Sequence, residues 1–150
     1  MVGHFTGDFL MRLIILEGIS GSGKSTLLSS ILDLSNYGDV LIHRFTPSQW
    51  VYNRLYGRRK VDYEDFNFKL QLINDVRIVW CDCDPEIAYQ RQLEKGDEKI
   101  EDLVQARKLF QEYFFTISTW KKIIYLRTDL FSIEDCVEKV RKEIYETKLG

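Results

Sequence analysis

The residues most able to do chemistry lie close together near the start of the chain. Glu17 is followed by Gly18, Ile19, Ser20, Gly21, Ser22, Gly23, Lys24, Ser25 and Thr26. This is the spacing G-x(4)-G-K-[ST] of a phosphate-binding loop. Glycines let successive backbone N–H groups turn toward one anion, and a helix starting near Lys24 adds free N–H donors and a positive dipole end. Lys24 can reach the β- and γ-phosphates of a nucleoside triphosphate, and the Ser25 hydroxyl can hold Mg²⁺. The expected phosphate-binding set is Gly18, Ser20, Gly21, Ser22, Gly23, Lys24, Ser25 and Thr26.

Such a loop works only between a buried strand and a helix. The apolar run Leu13–Leu16 supplies the strand, within Arg12–Glu17. Leu27, Leu28, Ile31 and Leu32 supply one stripe of the helix, which Asn36 and Gly38 end. Val40–Ile42 reads as a second buried strand running into His43, Arg44 and Phe45. Thr46 and Gln49 form a capping box around Pro47, opening a helix that Gly57 stops. Asp62 caps a further helix with Phe66, Leu70 and Ile73 on its inner face. Val76–Asp82 is a third strand. Asp84-Pro85-Glu86 opens a helix running to Lys95 and stopped by Gly96. Residues 96–102 read as loop or frayed helix. Leu103, Ala106, Phe110, Tyr113, Phe114 and Ile117 mark a long amphipathic helix, Ile123–Leu126 a fourth strand, and Ser132-x-x-Asp135 the start of a last helix with Val137, Val140 and Ile144 inward.

Strand–helix alternation of this kind predicts an α/β fold: a three-layer αβα sandwich with a parallel sheet of four to five strands. Residues 1–11 are expected to form a terminal tail and 12–150 a single domain. Ligands on such sheets bind at the carboxyl ends of the strands. Glu17–Ser25, His43–Gln49, Cys81–Asp84 and Arg127–Asp129 should therefore gather on one edge.

That edge carries the remaining candidates. Arg44 can grip a phosphate bidentately. His43 can hydrogen-bond substrate or water, or face solvent. Glu17 either serves a substrate hydroxyl or metal-bound water, or pairs with Arg44 or Arg91. Arg91 and Lys95, with Lys99, Arg107 and Lys108, read either as a mobile cationic cover or as a solvated face, since acids interleave them. Arg54, Arg58, Arg59 and Lys60 adjoin Tyr52 and Tyr56, as a site for a substrate phosphate or a nucleic-acid strand, or as a soluble turn. Cys81 and Cys83 fall on the same strand face by alternation and read as buried thiols.

Composition narrows the class. The 150 residues are 45% hydrophobic and 29% charged, with net charge −2, which argues against a general nucleic-acid binder. No apolar run reaches the roughly 18 residues of a membrane span. The residues before Arg12 lack a signal peptide's basic and apolar regions. Three cysteines without scaffold spacing fit a reducing, cytoplasmic setting.

The loop L-E-G-I-S-G-S-G-K-S-T at Leu16–Thr26 resembles that of the thymidylate kinase family, E-G-x-D-G-x-G-K-[ST]-T. Cys81–Arg91 resembles that family's L-D-x-x-P-E-x-A-x-x-R strand and helix. Ile124–Val137 is similar to its last strand and helix, and His43-Arg44-Phe45…Ser48…Val51-Tyr52 to its Asp-Arg-aromatic, Ser and Ala-Tyr positions. The resemblance implies a P-loop kinase fold that passes the γ-phosphoryl of ATP to a nucleoside monophosphate with Mg²⁺. It implies Lys24 on the transferring phosphoryl, Ser25 on Mg²⁺, Arg44 on the acceptor phosphate and Arg91 on ATP from the lid side; the candidate substrate-binding residues are Glu17, His43, Arg44 and Tyr52. His43 and Ser20 stand where the family has Asp. The short link before Val40 replaces a further strand and an Arg-Glu-Pro segment. Other readings are a P-loop kinase for a polynucleotide 5′ end or a small metabolite, and a nucleotide-binding regulatory module without catalysis. Aromatics on the Leu103–Ile117 helix, if exposed, would permit a homodimer, and core burial explains them equally well.

Overall fold

A computed structural model describes residues 9–36, 38–95 and 98–146. Four strands form one wholly parallel sheet: β1 (Arg12–Glu17), β2 (Val40–His43), β3 (Asp75–Asp82) and β4 (Ile123–Arg127), in the order β2-β1-β3-β4. The helices are α1 (Lys24–Ser35), α2 (Thr46–Leu55), α3 (Glu64–Ile73), α4 (Pro85–Gln92), α5 (Ile100–Glu112) and α6 (Ile133–Val140). Helices α5 and α6 each run on into a π-helical turn, Tyr113–Ile117 and Arg141–Tyr145.

Period-two alternation divides the core in two. Leu13 and Ile15 of β1, with Ile78 and Trp80 of β3, face Trp50 and Val51 of α2 and Leu103, Phe110 and Tyr113 of the α5 segment. Ile14 and Leu16, with Val79, Cys81 and Leu126, face Leu27 and Ile31 of α1 and Cys136 and Val140 of α6. The result is the expected three-layer αβα sandwich. Phe110, Tyr113 and Phe114 are consumed by this core, while Phe115 and Ile117 of the same segment are exposed.

Several local expectations are corrected. β2 is an edge strand, so Val40 is exposed rather than buried. α4 ends at Gln92, where tight turns close Leu93–Lys95, and the stop expected at Gly96 lies outside the described residues. α5 starts at Ile100, inside the stretch expected to be loop or frayed helix. Cys81 and Cys83 enter opposite cores, because the chain leaves β3 at Asp82 and the alternation lapses. On α3 Leu70 packs against the core as expected, beside the fully buried Asn67, while Phe66 and Ile73 are exposed. Of the tail expected over residues 1–11, residues 1–8 lie outside the described residues. Leu10 N–H bonds Ile73 O at 2.9 Å, and Asp75 N–H bonds Met11 O at 3.0 Å.

Candidate phosphate and acceptor site

The four segments expected at one sheet edge meet there. Arg44 N–H donates to Leu16 O at 3.0 Å, Thr128 N–H to Asp82 O at 3.0 Å, and the Thr128 hydroxyl to Ser22 O at 2.6 Å. Thr128 thus ties the end of β4 to the Gly18–Lys24 loop, a role its sequence context does not signal.

Close packing shapes the loop. Gly18 has φ 142° and Gly21 φ 80°. A Cβ on Gly18 would collide with the Cys81 carbonyl, and one on Gly21 with the Ala88 carbonyl of α4. These glycines are required both by backbone conformation and by contact. Gly23, φ 89°, precedes α1 and leaves its first N–H groups uncovered by any side-chain cap.

Lys24 is buried. Its Nζ donates to Gly18 O at 2.9 Å, Ile19 O at 2.7 Å and Ser22 Oγ at 3.2 Å. Burial and then the Arg44 charge lower its pKa to about 7. Ser25 and Thr26 are exposed at the loop's outer rim.

Glu17 departs from both of its expected roles. It pairs with neither Arg44 nor Arg91. Its carboxylate is fully buried beneath α2, accepting from Phe45 N–H at 2.8 Å, Ser48 N–H at 3.1 Å and the Ser48 hydroxyl. Glu17 therefore caps α2 from another strand. Burial outweighs these bonds and raises its pKa to about 7. The expected Thr46–Gln49 capping box is absent: Thr46 is the first helical residue, and its hydroxyl goes to Asn67 Oδ1 at 2.7 Å.

Arg44 has left-handed backbone, φ 69°. That turn takes the chain out of β2 and swings the guanidinium onto Ser20 Oγ (3.3 Å), Ser48 Oγ (3.4 Å) and the Tyr52 ring (5.1 Å to its centroid). Two clefts meet at this side chain. One, of ≈ 420 Å³, is lined by the loop with His43, Arg44, Arg91 and Lys95. The other, of ≈ 640 Å³, is lined by Arg44, Phe45, Gln49, Tyr52, Tyr56 and Arg58 among others. His43 is exposed, with its pKa held below the usual value by partial burial and the neighbouring Lys24 and Arg44 charges.

Arg91 braces the loop from α4, donating to Gly21 O at 3.4 Å and to Thr128 O at 2.7 Å. Arg107 is not part of a cationic cover. It grips the buried Asp82 with two bonds, 2.9 and 3.2 Å, and the Tyr125 hydroxyl adds a third at 2.5 Å. Glu98, one of the acids interleaved with these cations, sits over the loop. Its Oε1 accepts from Ser20 Oγ at 2.9 Å, while its buried Oε2 and the Tyr52 hydroxyl have no hydrogen-bond partner among the described residues. Both residues are at the aromatic cleft. No spacing in the sequence links residue 98 to residue 20; the turn after α4 does so.

No helix among the described residues is long and apolar enough to cross a membrane. No family model matches the chain, and no curated protein matches it. Among solved structures the fold is similar to the YorR protein from Bacillus subtilis, in complex with phosphorylated GDP. That match has TM-score 0.65 and 18% identity, covering 90% of this chain and 99% of that one. It is also similar to deoxyadenosine kinase from M. mycoides with bound dCTP, at TM-score 0.60 and 13% identity over 89% and 98% of the two chains. The same kinase with bound dATP gives TM-score 0.56 and 13% identity over 89% and 99%. At these identities the likeness is one of fold.

Proposed function

We propose that this chain is an ATP-dependent kinase that passes a phosphoryl group to a nucleoside monophosphate, in the manner of the thymidylate kinases it resembles. One observation carries the reading. The Arg44 guanidinium stands at the shared wall of two clefts, one lined by the glycine-rich loop with Lys24 and Arg91 and one lined by aromatic rings and a second arginine, Arg58. A nucleotide acceptor has the matching chemistry: a planar base for Tyr52, Tyr56 and Phe45, and a phosphate for Arg44. The solved nucleotide-bound structures of similar fold support the same reading.

Phosphoryl transfer rests mainly on positioning and charge. Lys24 and Arg91 lie on the donor side, where they counter charge spreading over the transferring group. Arg44 holds the acceptor phosphate and keeps the two anions from repelling each other apart. For Mg²⁺, the exposed Ser25 hydroxyl is the protein ligand on offer. Among the described residues no cluster of three carboxylate, histidine or cysteine ligands forms. Mg²⁺ ordinarily keeps several waters and takes phosphate oxygens rather than an all-protein cage, so this donor set fits. When bound, the ion neutralises phosphate charge.

A second reading has its own observation. The unpaired Glu98 Oε2 can accept a proton from an acceptor hydroxyl, which favours a nucleoside over a nucleotide. One panel separates the two: purified protein with ATP, Mg²⁺ and, in turn, deoxynucleoside monophosphates, nucleosides and 5′-hydroxyl oligonucleotides, with ADP release as readout. Stimulation by monophosphates is expected. Stimulation by nucleosides alone selects the Glu98 reading. ATP binding with no stimulated turnover sinks both.

A further inference from the structure

Among the described residues, no carboxylate lines the loop cleft. The acids at this sheet edge are engaged elsewhere. Glu17 caps α2, and Asp82 is held by Arg107 and Tyr125. Asp84 accepts from Glu86 N–H at 2.9 Å, and Asp129 holds Arg127 through bonds of 2.9 and 2.7 Å. Glu98, bonded to Ser20, opens onto the aromatic cleft. A metal ion carried in on a nucleoside triphosphate meets a different donor beside the loop, the imidazole of His43.

Register puts it there. β2 runs parallel to β1 with Leu41 opposite Ile14 and His43 opposite Leu16. Partners in register share a face of the sheet. Ile14, Leu16 and Leu41 all belong to the layer that α1 covers. His43 therefore stands on the α1 side, at the strand end, where α1 begins. It lines the cleft together with Lys24, Ser25 and Thr26. Because β2 is an edge strand, no further strand of the sheet shields it, and His43 is exposed.

We propose that His43 is a ligand of the metal ion that the nucleotide carries, and that it makes the site hold a later first-row ion, Co²⁺, more tightly than Mg²⁺. This rests on the proposed binding of a nucleoside triphosphate at the loop. Mg²⁺ is a hard ion that takes oxygen donors. An imidazole nitrogen suits the later first-row ions, for which affinity rises from Mn²⁺ through Co²⁺ toward Cu²⁺. Ser25 supplies oxygen, which Mg²⁺ can use, and His43 adds nitrogen, from which Co²⁺ gains more. The nucleotide must arrive with the metal. Lys24 and Arg44 line the same cleft and repel a bare dication, whereas a polyphosphate offsets both charges.

The test titrates the full chain with preformed Mg²⁺·ATP and Co²⁺·ATP by calorimetry. Wild type is expected to hold Co²⁺·ATP roughly tenfold more tightly. His43→Ala should lose most of that margin and keep its Mg²⁺·ATP affinity within about twofold of wild type. His43→Asp should bind Mg²⁺·ATP more tightly than His43→Ala does, since a carboxylate oxygen suits the harder ion. A second readout needs no turnover. High-spin Co²⁺ moves the ring N–H proton of a coordinated histidine far outside the ordinary proton range. One such exchangeable signal should appear with Co²⁺·ATP and vanish in His43→Ala, which retains the chain's other histidine, His4. Equal affinity for the two complexes in wild type overturns the proposal, as does the absence of that signal. So does a preference and signal that survive His43→Ala. Each of these leaves Mg²⁺·ATP binding at the loop intact, whereas failure to bind either complex removes the nucleotide reading as well.

Discussion

Lys24 is held by three acceptors of its own loop and largely stripped of water, so its ammonium form is disfavoured where no anion faces it. Two outcomes follow. Lys24→Ala should abolish turnover and leave the thermal midpoint without nucleotide nearly unchanged, because removing a desolvated cation offsets the lost hydrogen bonds. A large fall in that midpoint would make Lys24 structural. Second, nucleotide binding should take up a proton. With its pKa lowered to about 7, Lys24 is mostly neutral at pH 8. A polyphosphate beside it raises the pKa and recharges it. Calorimetric titration with ATP at pH 8, in two buffers of different ionisation enthalpy, should show uptake approaching one proton. The Lys24→Ala protein should show none.

At the scale of elements, α2 depends on a residue outside itself. Glu17 satisfies the Phe45 and Ser48 N–H groups at the helix start. Glu17→Ala leaves both without their acceptor in a buried setting and should cost about 2–4 kcal/mol, read from urea unfolding. The pH dependence has a definite sign. Because its pKa rises from 4.5 to about 7 on folding, the folded state binds more protons over that window. Glu17 therefore contributes stability that declines as pH climbs from about 4.5 to 7, and a Glu17→Gln protein should lack that decline. A sequence reading places Glu17 at the right edge and still misses this role. Its partners lie 28 and 31 residues downstream, and no local rule connects a strand-end carboxylate to a distant helix start. Helix α3 misleads differently: of the expected stripe only Leu70 packs on the core, and the fully buried position beside it is the polar Asn67.

Across the whole molecule, strand–helix alternation and the hydrophobic runs predict parallel strands covered by helices, which is why the sheet and the loop were legible in the residues while the order β2-β1-β3-β4 was not. Contacts that cross between layers were not. Asp82 with Arg107 is one: it ties β3 to α5, and the charged spacing of α5 reads equally well as solvated surface. Arg107→Ala strands a carboxylate that is 2% exposed, leaving it the Tyr125 hydroxyl and Cys83 N–H. A loss of roughly 2–3 kcal/mol by thermal or chemical unfolding is expected. An unchanged midpoint would return Arg107 to the solvated face. Glu98 is a second such contact, brought over Ser20 by the turn after α4.

The left-handed backbone of Arg44 sets two kinds of selection against each other. Non-glycine residues in that conformation are strained by about 1 kcal/mol, which glycine avoids. Arg44→Gly should therefore melt no lower than wild type while losing acceptor-stimulated turnover, as differential scanning fluorimetry beside the ADP-release assay would show. A library of variants ranked by heat resistance alone would accept glycine at position 44, and one ranked by the proposed turnover would reject it.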